Sequence, residues 1–188
     1  MPSASSAEKS VSESGTVVVR DSRDEDVPAI ARIYGHWVRH GLGTFELDPP
    51  DEAEIARRRA LLLSGGFPYV VAQRAGAVIG YASAGPWRPR PGYRFSCENS
   101  VYVAADAARN GAGRALLTEI IARCEVRYRL MISVIGDSGN AGSIGLHSAL
   151  GFKHAGTLPA VGWKFGRWVD TVFMTRALGA GSSTAAKD

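Results

Sequence analysis

The segment that most constrains the fold is 130–135, LMISVI, an almost fully apolar run of strand length. Such a run suits a strand at the buried centre of a sheet, where both faces are covered. The rest of the chain supplies alternating helix and strand signals around it. Residues 16–20 (TVVVR) are β-branched and read as a strand. Asp24 caps a helix whose apolar stripe is Val27, Ile30, Ile33, Tyr34, Trp37 and Val38, with Pro28 tolerated in the first turn. A second helix follows Pro49-Pro50 over about 51–63, and 69–73 pairs with 77–83 across Arg74-Ala75-Gly76 as a hairpin. Residues 94–103 make a further strand. The next helix carries Leu116, Leu117, Ile120, Ile121 and Cys124 on one face, and another over 140–150 is stopped by Gly151. Segments 152–158 and 169–178 close the order as strands around a Trp/Gly-rich loop. The sequence of elements, β-α-α-β-β-β-α-β-α-β-β, predicts an α/β fold with a central sheet of mixed direction.

Length and composition narrow the class. The chain has 188 residues, one domain's length, with 22 Lys+Arg against 18 Asp+Glu. Polar stretches at 1–15 and 179–188 are expected as disordered tails around a domain at 16–178. Those tails hold Glu8, Lys9, Glu13, Lys187 and Asp188, so the formal charge of +4 becomes +5 for the core. That excess points to an anionic partner. Two cysteines, Cys97 and Cys124, make no disulfide framework, so a reduced cytoplasmic setting is expected. No run is long enough for a membrane helix, and the first residues lack the apolar core of a secretory signal. Arg57, Arg58 and Arg59 spread over different helix faces and read as solvated rather than as a nucleic-acid patch. His36, His40 and His154 have no metal-ligand spacing, so no metal is expected. Gly136-Asp137-Ser138-Gly139 matches the nucleophile segment of trypsin-like proteases, but that fold needs more chain and a differently placed His/Asp pair.

The most informative stretch runs from a strand, through Arg109-Asn110-Gly111-Ala112-Gly113-Arg114, into an amphipathic helix. Glycines let backbone pass close to a ligand, and free N–H groups at a helix start suit phosphate oxygens. Arg109 and Arg114 add full charges. A Walker loop is absent, and Leu116 stands where a dinucleotide fingerprint needs its third glycine. Downstream, Asn140, Ser143 and His147 fall on one face of a helix. The pattern R-N-G-A-G-R after V-Y-V, with N-x-x-S-x-x-L-H-x-x-L-G-F behind it, resembles the coenzyme A loop and following helix of the GNAT superfamily of N-acetyltransferases. Trp87-Arg88-x-x-x-Gly92-Tyr93-Arg94, Glu98-Asn99-Ser100-Val101-Tyr102-Val103 and Val161-Gly162-x-Lys164-Phe165-Gly166-Arg167-Trp168-x-Asp170 are similar to segments of its phosphinothricin and methionine sulfoximine acetyltransferases.

The resemblance implies the GNAT acyl-CoA N-acyltransferase fold, a mixed sheet splayed at the cofactor site and flanked by helices. It also implies acetyl-CoA as co-substrate, a small amine acceptor, and a homodimer that binds neither nucleic acid nor membrane. On it, the backbone of Val101, Tyr102 and Val103 pairs with the pantetheine arm. Arg109, Asn110, Gly111, Ala112, Gly113 and Arg114 wrap the pyrophosphate, and Asn140 and Ser143 contact the cofactor. Tyr34, Phe45, Arg94, Phe95 and Ser96 line the acceptor pocket, with Lys164 and Trp168 contributed across the dimer interface. Glu98 and His147 are the catalytic candidates. Ala108 departs from the usual Gln or Arg, and Cys97 and Asn99 depart from the usual neighbours of Glu98.

An α-amino group has a pKa near 7.7–8.0, so a base must take its proton at neutral pH. Glu98 fits that role, against a structural ion pair with a residue such as Arg94. His147 either protonates the leaving thiolate, helps deprotonate the amine, or is structural. A strand N–H near Val103 would stabilise the oxyanion. Acetylation of another amine or a protein N-terminus, a basic single-strand-binding domain, and a coenzyme A sensor are the competing readings.

Overall fold

Seven strands form one sheet: β1 (Val18–Asp21), β2 (Tyr69–Arg74), β3 (Ala77–Pro86), β4 (Ser96–Val103), β5 (Leu130–Gly136), β6 (Lys153–Lys164) and β7 (Arg167–Ala177). Their spatial order is β1-β2-β3-β4-β5-β7-β6. This is a computed structural model, and it describes residues 15–186. All neighbours run antiparallel except β4 and β5. Helices α1 (Val27–His40) and α2 (Glu52–Ser64) cover one face, and α3 (Ala112–Cys124) and α4 (Ala141–Ala149) the other. The expected α/β fold with a mixed sheet is therefore present.

Each face has its own core. Leu116, Leu117 and Ile120 of α3 pack with Val70, Ala82, Cys97 and Met131. Ile30, Ile33 and Val38 of α1 pack with Val71, Tyr69 and Tyr81. Strand alternation sorts the residues: Val70 goes one way and Val71 the other. The run at 130–135 lies between β4 and β7, with Met131 fully buried and Ile132 nearly so. Among the described residues no helix is long and apolar enough to cross a membrane.

Four local expectations need correction. Asp24 sits in a short 3-10 turn (Asp24–Asp26) rather than capping α1. The carboxylate of Asp26, the residue before α1, is taken by the Arg20 guanidinium at 2.7 and 2.8 Å and by the Arg23 N–H at 2.7 Å, so it makes no capping bond to α1. Arg59 is not solvated. It is buried, and donates to the Ser22 hydroxyl and carbonyl and to Asp24. Arg94 and Phe95 precede β4, because Pro91–Tyr93 form a 3-10 turn that the Arg94 N–H closes onto the Pro91 carbonyl. The Trp/Gly-rich segment is no loop: β6 and β7 pair through Trp163↔Trp168 and Lys164↔Arg167. Phe165 and Gly166, at φ 51° and 72°, make the two-residue turn that fits the twist of such a hairpin.

Within the expected C-terminal tail, Arg129 donates to the Thr184 hydroxyl and the Ala185 carbonyl. Of the expected N-terminal tail, residues 1–14 lie outside the described residues.

Candidate active site

The sheet opens between its two parallel strands. Pairing of β4 with β5 runs from Ser96↔Leu130 to Asn99↔Ser133 and stops there. Yet β4 stays on β3 as far as Gly80↔Val103, and β5 stays on β7 as far as Gly136↔Thr171. The two halves of the sheet therefore diverge beyond Asn99 and Ser133, leaving a cleft of about 740 Å³. Its walls include Val101 and Val103 from β4, Val134 and Ile135 from β5, Arg109 to Arg114 except Asn110, and Asn140, Ser143 and His147.

Ladder alternation decides which backbone groups face the opening. The Ala104 N–H donates to the Ile79 carbonyl, so even-numbered β4 residues turn their peptide groups toward β3. The Tyr102 carbonyl accordingly lies 2.9 Å from where a Cβ on Gly80 would stand. The odd-numbered residues Val101 and Val103 turn theirs toward the missing β5 partner. The Trp37 indole N–H donates to the Val103 carbonyl at 2.7 Å. Tyr102, expected to present its backbone to the cofactor, is among the residues lining the cleft, and its half-buried ring packs edge-on to Tyr34 at 4.9 Å.

At the far end of β4 the chain turns sharply. Arg109 (φ 65°) and Gly111 (φ 80°) both adopt the left-handed conformation before α3 begins. No side chain caps α3 and no acidic residue sits in its first turn. Its free N–H groups and positive dipole end thus face the cleft beside Arg109 and Arg114, an anion site by construction.

Side chains of β4 alternate across the sheet. Asn99 lies on the α3/α4 face with His147, whereas Glu98 lies on the opposite face, as Tyr102 does. The two catalytic candidates are thus on opposite faces, meeting only where the strands part. Burial raises the Glu98 carboxyl above its ordinary range, and Arg88 pulls it partly back. The ion pair weighed with Arg94 is replaced by this Arg88 influence. Arg94 itself stacks over the Phe95 ring at 4.5 Å.

His147 is buried, and both its ring nitrogens are engaged. Nδ1 lies 2.8 Å from the Ser143 carbonyl, which can only accept, so Nδ1 carries the proton. Nε2 then accepts from the Asn99 amide at 3.0 Å and the Ser133 hydroxyl at 2.9 Å. Burial holds the imidazole's pKa below its ordinary value, against a smaller opposing pull from the Ser143 carbonyl. Its neutral Nε2 has no proton to give. Asn140 caps α4, its side-chain oxygen accepting from the Ser143 N–H at 3.1 Å.

On the Glu98 face, residues 41–46 cross the end of the sheet. The Thr44 hydroxyl donates to the Tyr34 oxygen at 2.9 Å, whose own proton goes to Glu46 at 3.0 Å, and the Thr44 carbonyl receives the Lys164 ammonium at 2.8 Å. Phe45 packs on Gly162, where a Cβ would stand 2.0 Å from its ring. Lys164 is buried within this same chain, and burial lowers its pKa. The geometry brings Tyr34, Phe45 and Lys164 together. It sends Phe95 to a separate depression beside Tyr128 and Arg129, and leaves Ser96 at the closed end of β4. Trp168 is exposed at the hairpin tip, 5.1 Å from Trp163 between ring centres.

Sequence reading missed Trp37, Asn99, Ser133 and Leu42 as cleft residues. Ser133, the one polar residue in an otherwise apolar run, was the signal available. No group of three or more His, Cys, Asp or Glu side chains able to hold a metal occurs among the described residues.

Known proteins share this arrangement. Residues 20–152 match the acetyltransferase (GNAT) family. A phosphinothricin N-acetyltransferase of Alcaligenes faecalis is 54% identical over 167 residues, 88% of this chain and 85% of that protein. An L-methionine sulfoximine/L-methionine sulfone acetyltransferase of Pseudomonas paraeruginosa is 42% identical, covering 83% and 91%. A crystal structure of a phosphinothricin acetyltransferase from Sinorhizobium meliloti in complex with acetyl-CoA superposes with a TM-score of 0.89 at 44% identity, covering 92% and 94%. The split sheet, the anion-binding turn and these likenesses make the chain a member of the GNAT acetyltransferase family, an acetyl-CoA-dependent N-acetyltransferase.

Proposed function

We propose that the enzyme acetylates the amine of a small amino-acid-like acceptor of the phosphinothricin, methionine sulfoximine or methionine sulfone type, with Glu98 as general base. The observation that carries this reading is the parting of β4 and β5 beyond Asn99 and Ser133, with an uncapped helix start at its far end and a carboxyl raised by burial at its closed end. Arg109, Arg114 and the first N–H groups of α3 hold the pyrophosphate, and the Val101 and Val103 backbone holds the pantetheine arm. Acetyl-CoA supplies the acetyl group as a thioester. The acceptor enters from the Glu98 face, between the 41–46 segment and the start of β4, where Tyr34, Phe45 and Lys164 shape its pocket. Glu98 takes a proton from the acceptor ammonium, directly or through water. His147, with a lone pair rather than a proton at Nε2, positions its neighbours instead of serving as an acid.

We place the enzyme in the cytoplasm, in keeping with Cys97 and Cys124 as buried free thiols. In the same reading the exposed Val161, Trp163, Phe165 and Trp168 of the β6–β7 hairpin form the homodimer surface. The ion pairs of Arg57 and Arg58 with Glu54 and Glu46 support a reading in which this helix is not a nucleic-acid surface.

The test is an acetyl-CoA-dependent thiol-release assay across phosphinothricin, methionine sulfoximine, methionine sulfone, ordinary amino acids and an alanine-terminated peptide. The first three should give the highest kcat/KM; a preference for the peptide overturns the acceptor assignment. Glu98→Gln should lower kcat roughly 10²–10⁴-fold. Because the Glu98 pKa is raised, the wild-type rate should climb with pH through that pKa, and this limb should vanish in the variant. An unchanged profile and kcat would sink the base assignment.

A further inference from the structure

We propose that Asn99 is a cofactor-binding residue whose side-chain oxygen accepts a hydrogen bond from the coenzyme A amide N–H nearest the sulfur, with His147 and Ser133 as the positioning residues that aim it. Asn99 is the last β4 residue paired with β5, so it stands at the vertex of the cleft and lines it. It is 4% exposed, and its Oδ1 is buried with no hydrogen-bond partner. A buried acceptor left unpaired is costly, and in native proteins such an atom commonly meets a ligand or ordered water.

The orientation of the amide is fixed by chemistry. His147 Nδ1 must donate to the Ser143 carbonyl, so Nε2 must accept, and the group facing it at 3.0 Å has to be the Asn99 NH2. The oxygen is thereby turned away from the imidazole. The Ser133 hydroxyl, 2.9 Å from Nε2, keeps the ring in place from the opposite strand. Nothing in this triad transfers a proton; it leaves one buried acceptor unpaired at the vertex of the cleft.

The partner follows from the direction in which the cofactor lies, and so rests on the proposed function. With phosphates at Arg109 and Arg114, the arm runs back past Val103 and Val101 toward the vertex. A thioester has no donor, and along the arm the amide N–H groups are the donors near its reactive end. Asn99, one odd-numbered step beyond Val101, meets the one closer to sulfur.

Two measurements test this. The first is the calorimetric Kd of coenzyme A for the wild type, Asn99→Leu and Asn99→Ala; both variants should weaken binding roughly tenfold. The second is the ratio of kcat/KM for two truncated donors, S-acetyl-N-acetylcysteamine and its analogue with an ester oxygen in place of the amide N–H. The wild type should prefer the amide, while both Asn99 variants and His147→Phe should bring the ratio close to one. Since the ratio is taken on one sample, a partly unfolded variant does not distort it. Wild-type Kd and wild-type ratio in both Asn99 variants would overturn the assignment, as would a wild type indifferent to the amide. Failure of the wild type to bind coenzyme A at all would instead overturn the placement of the cofactor in this cleft.

Discussion

Gly136→Ala should cripple the enzyme without touching a reacting group. Gly136 ends β5, and a Cβ there would stand 2.1 Å from the Leu42 carbonyl oxygen, 3.2 Å from its carbon and 3.3 Å from the Gly43 carbonyl carbon. All three atoms are backbone, so no rotamer change relieves the clash. Recovering even a tight contact of 3.0 Å requires the 41–46 segment to retreat by about 1 Å, at an overpacking cost of about 1–3 kcal/mol. For a domain of this size that corresponds to a fall in Tm of roughly 3–10 °C. The same segment carries Thr44, held by Tyr34 and Lys164, and Phe45, seated on Gly162. Displacing it by about 1 Å should therefore cost on the order of 10²-fold in kcat/KM for the acceptor. Thiol-release kinetics at saturating acetyl-CoA and a thermal melt on the same preparation provide the check. An Ala variant with wild-type kcat/KM and wild-type Tm would refute the claim that this segment's seat on β5 sets the acceptor pocket.

Two further predictions concern the other side of the sheet. Arg114→Ala should raise the KM for acetyl-CoA roughly tenfold while leaving kcat within a factor of about two, and the effect should shrink as salt rises; an unaffected KM would remove Arg114 from the phosphate site. His147 is held neutral in the fold, so the unfolded chain binds the extra proton first as pH falls. Stability should hold above about pH 7 and decline as pH drops through about 6.5, and His147→Gln should flatten that limb in denaturant titrations; an identical pH dependence would show that the imidazole is not held neutral.

Much of the frame was legible because period and punctuation agreed with it. Leu116, Leu117, Ile120 and Ile121 marked the buried face of α3, and the glycine turn at 109–114 marked its start. The β6–β7 hairpin was hidden because the glycines at 162 and 166 suggest a loop, although Trp163 and Trp168 are strand formers and only Phe165 and Gly166 occupy the turn. Arg59 was misread because helical spacing says which face a residue occupies but not what covers it. Here Ser22 and Asp24, 37 and 35 residues away, close over the guanidinium. Asn99 was noticed only as a departure from relatives. Its meaning depends on His147, 48 positions downstream, and on the tautomer that Ser143 imposes.

The two-sided site follows from a single property of β4. Glu98 and Asn99 are consecutive, so the pleat sends the proposed base to one face and the proposed cofactor contact to the other. No hinge or second domain is needed to bring two substrates together; the parting of β4 from β5 removes the wall between the faces. The cost is dependence on register. A one-residue slip of β4 would exchange Glu98 with Asn99 and turn the Val101 and Val103 peptide groups toward β3. Pairing of β3 with β4 over Gly80↔Val103 to Pro86↔Cys97 resists that slip, whereas β5 contributes only the stretch up to Asn99↔Ser133. Gly80 tightens the lock, because the Tyr102 carbonyl leaves no room there for a Cβ. Beyond Asn99 the strand that opens the cleft is thus held from the β3 side, which leaves its other edge free there while β3 keeps it aligned.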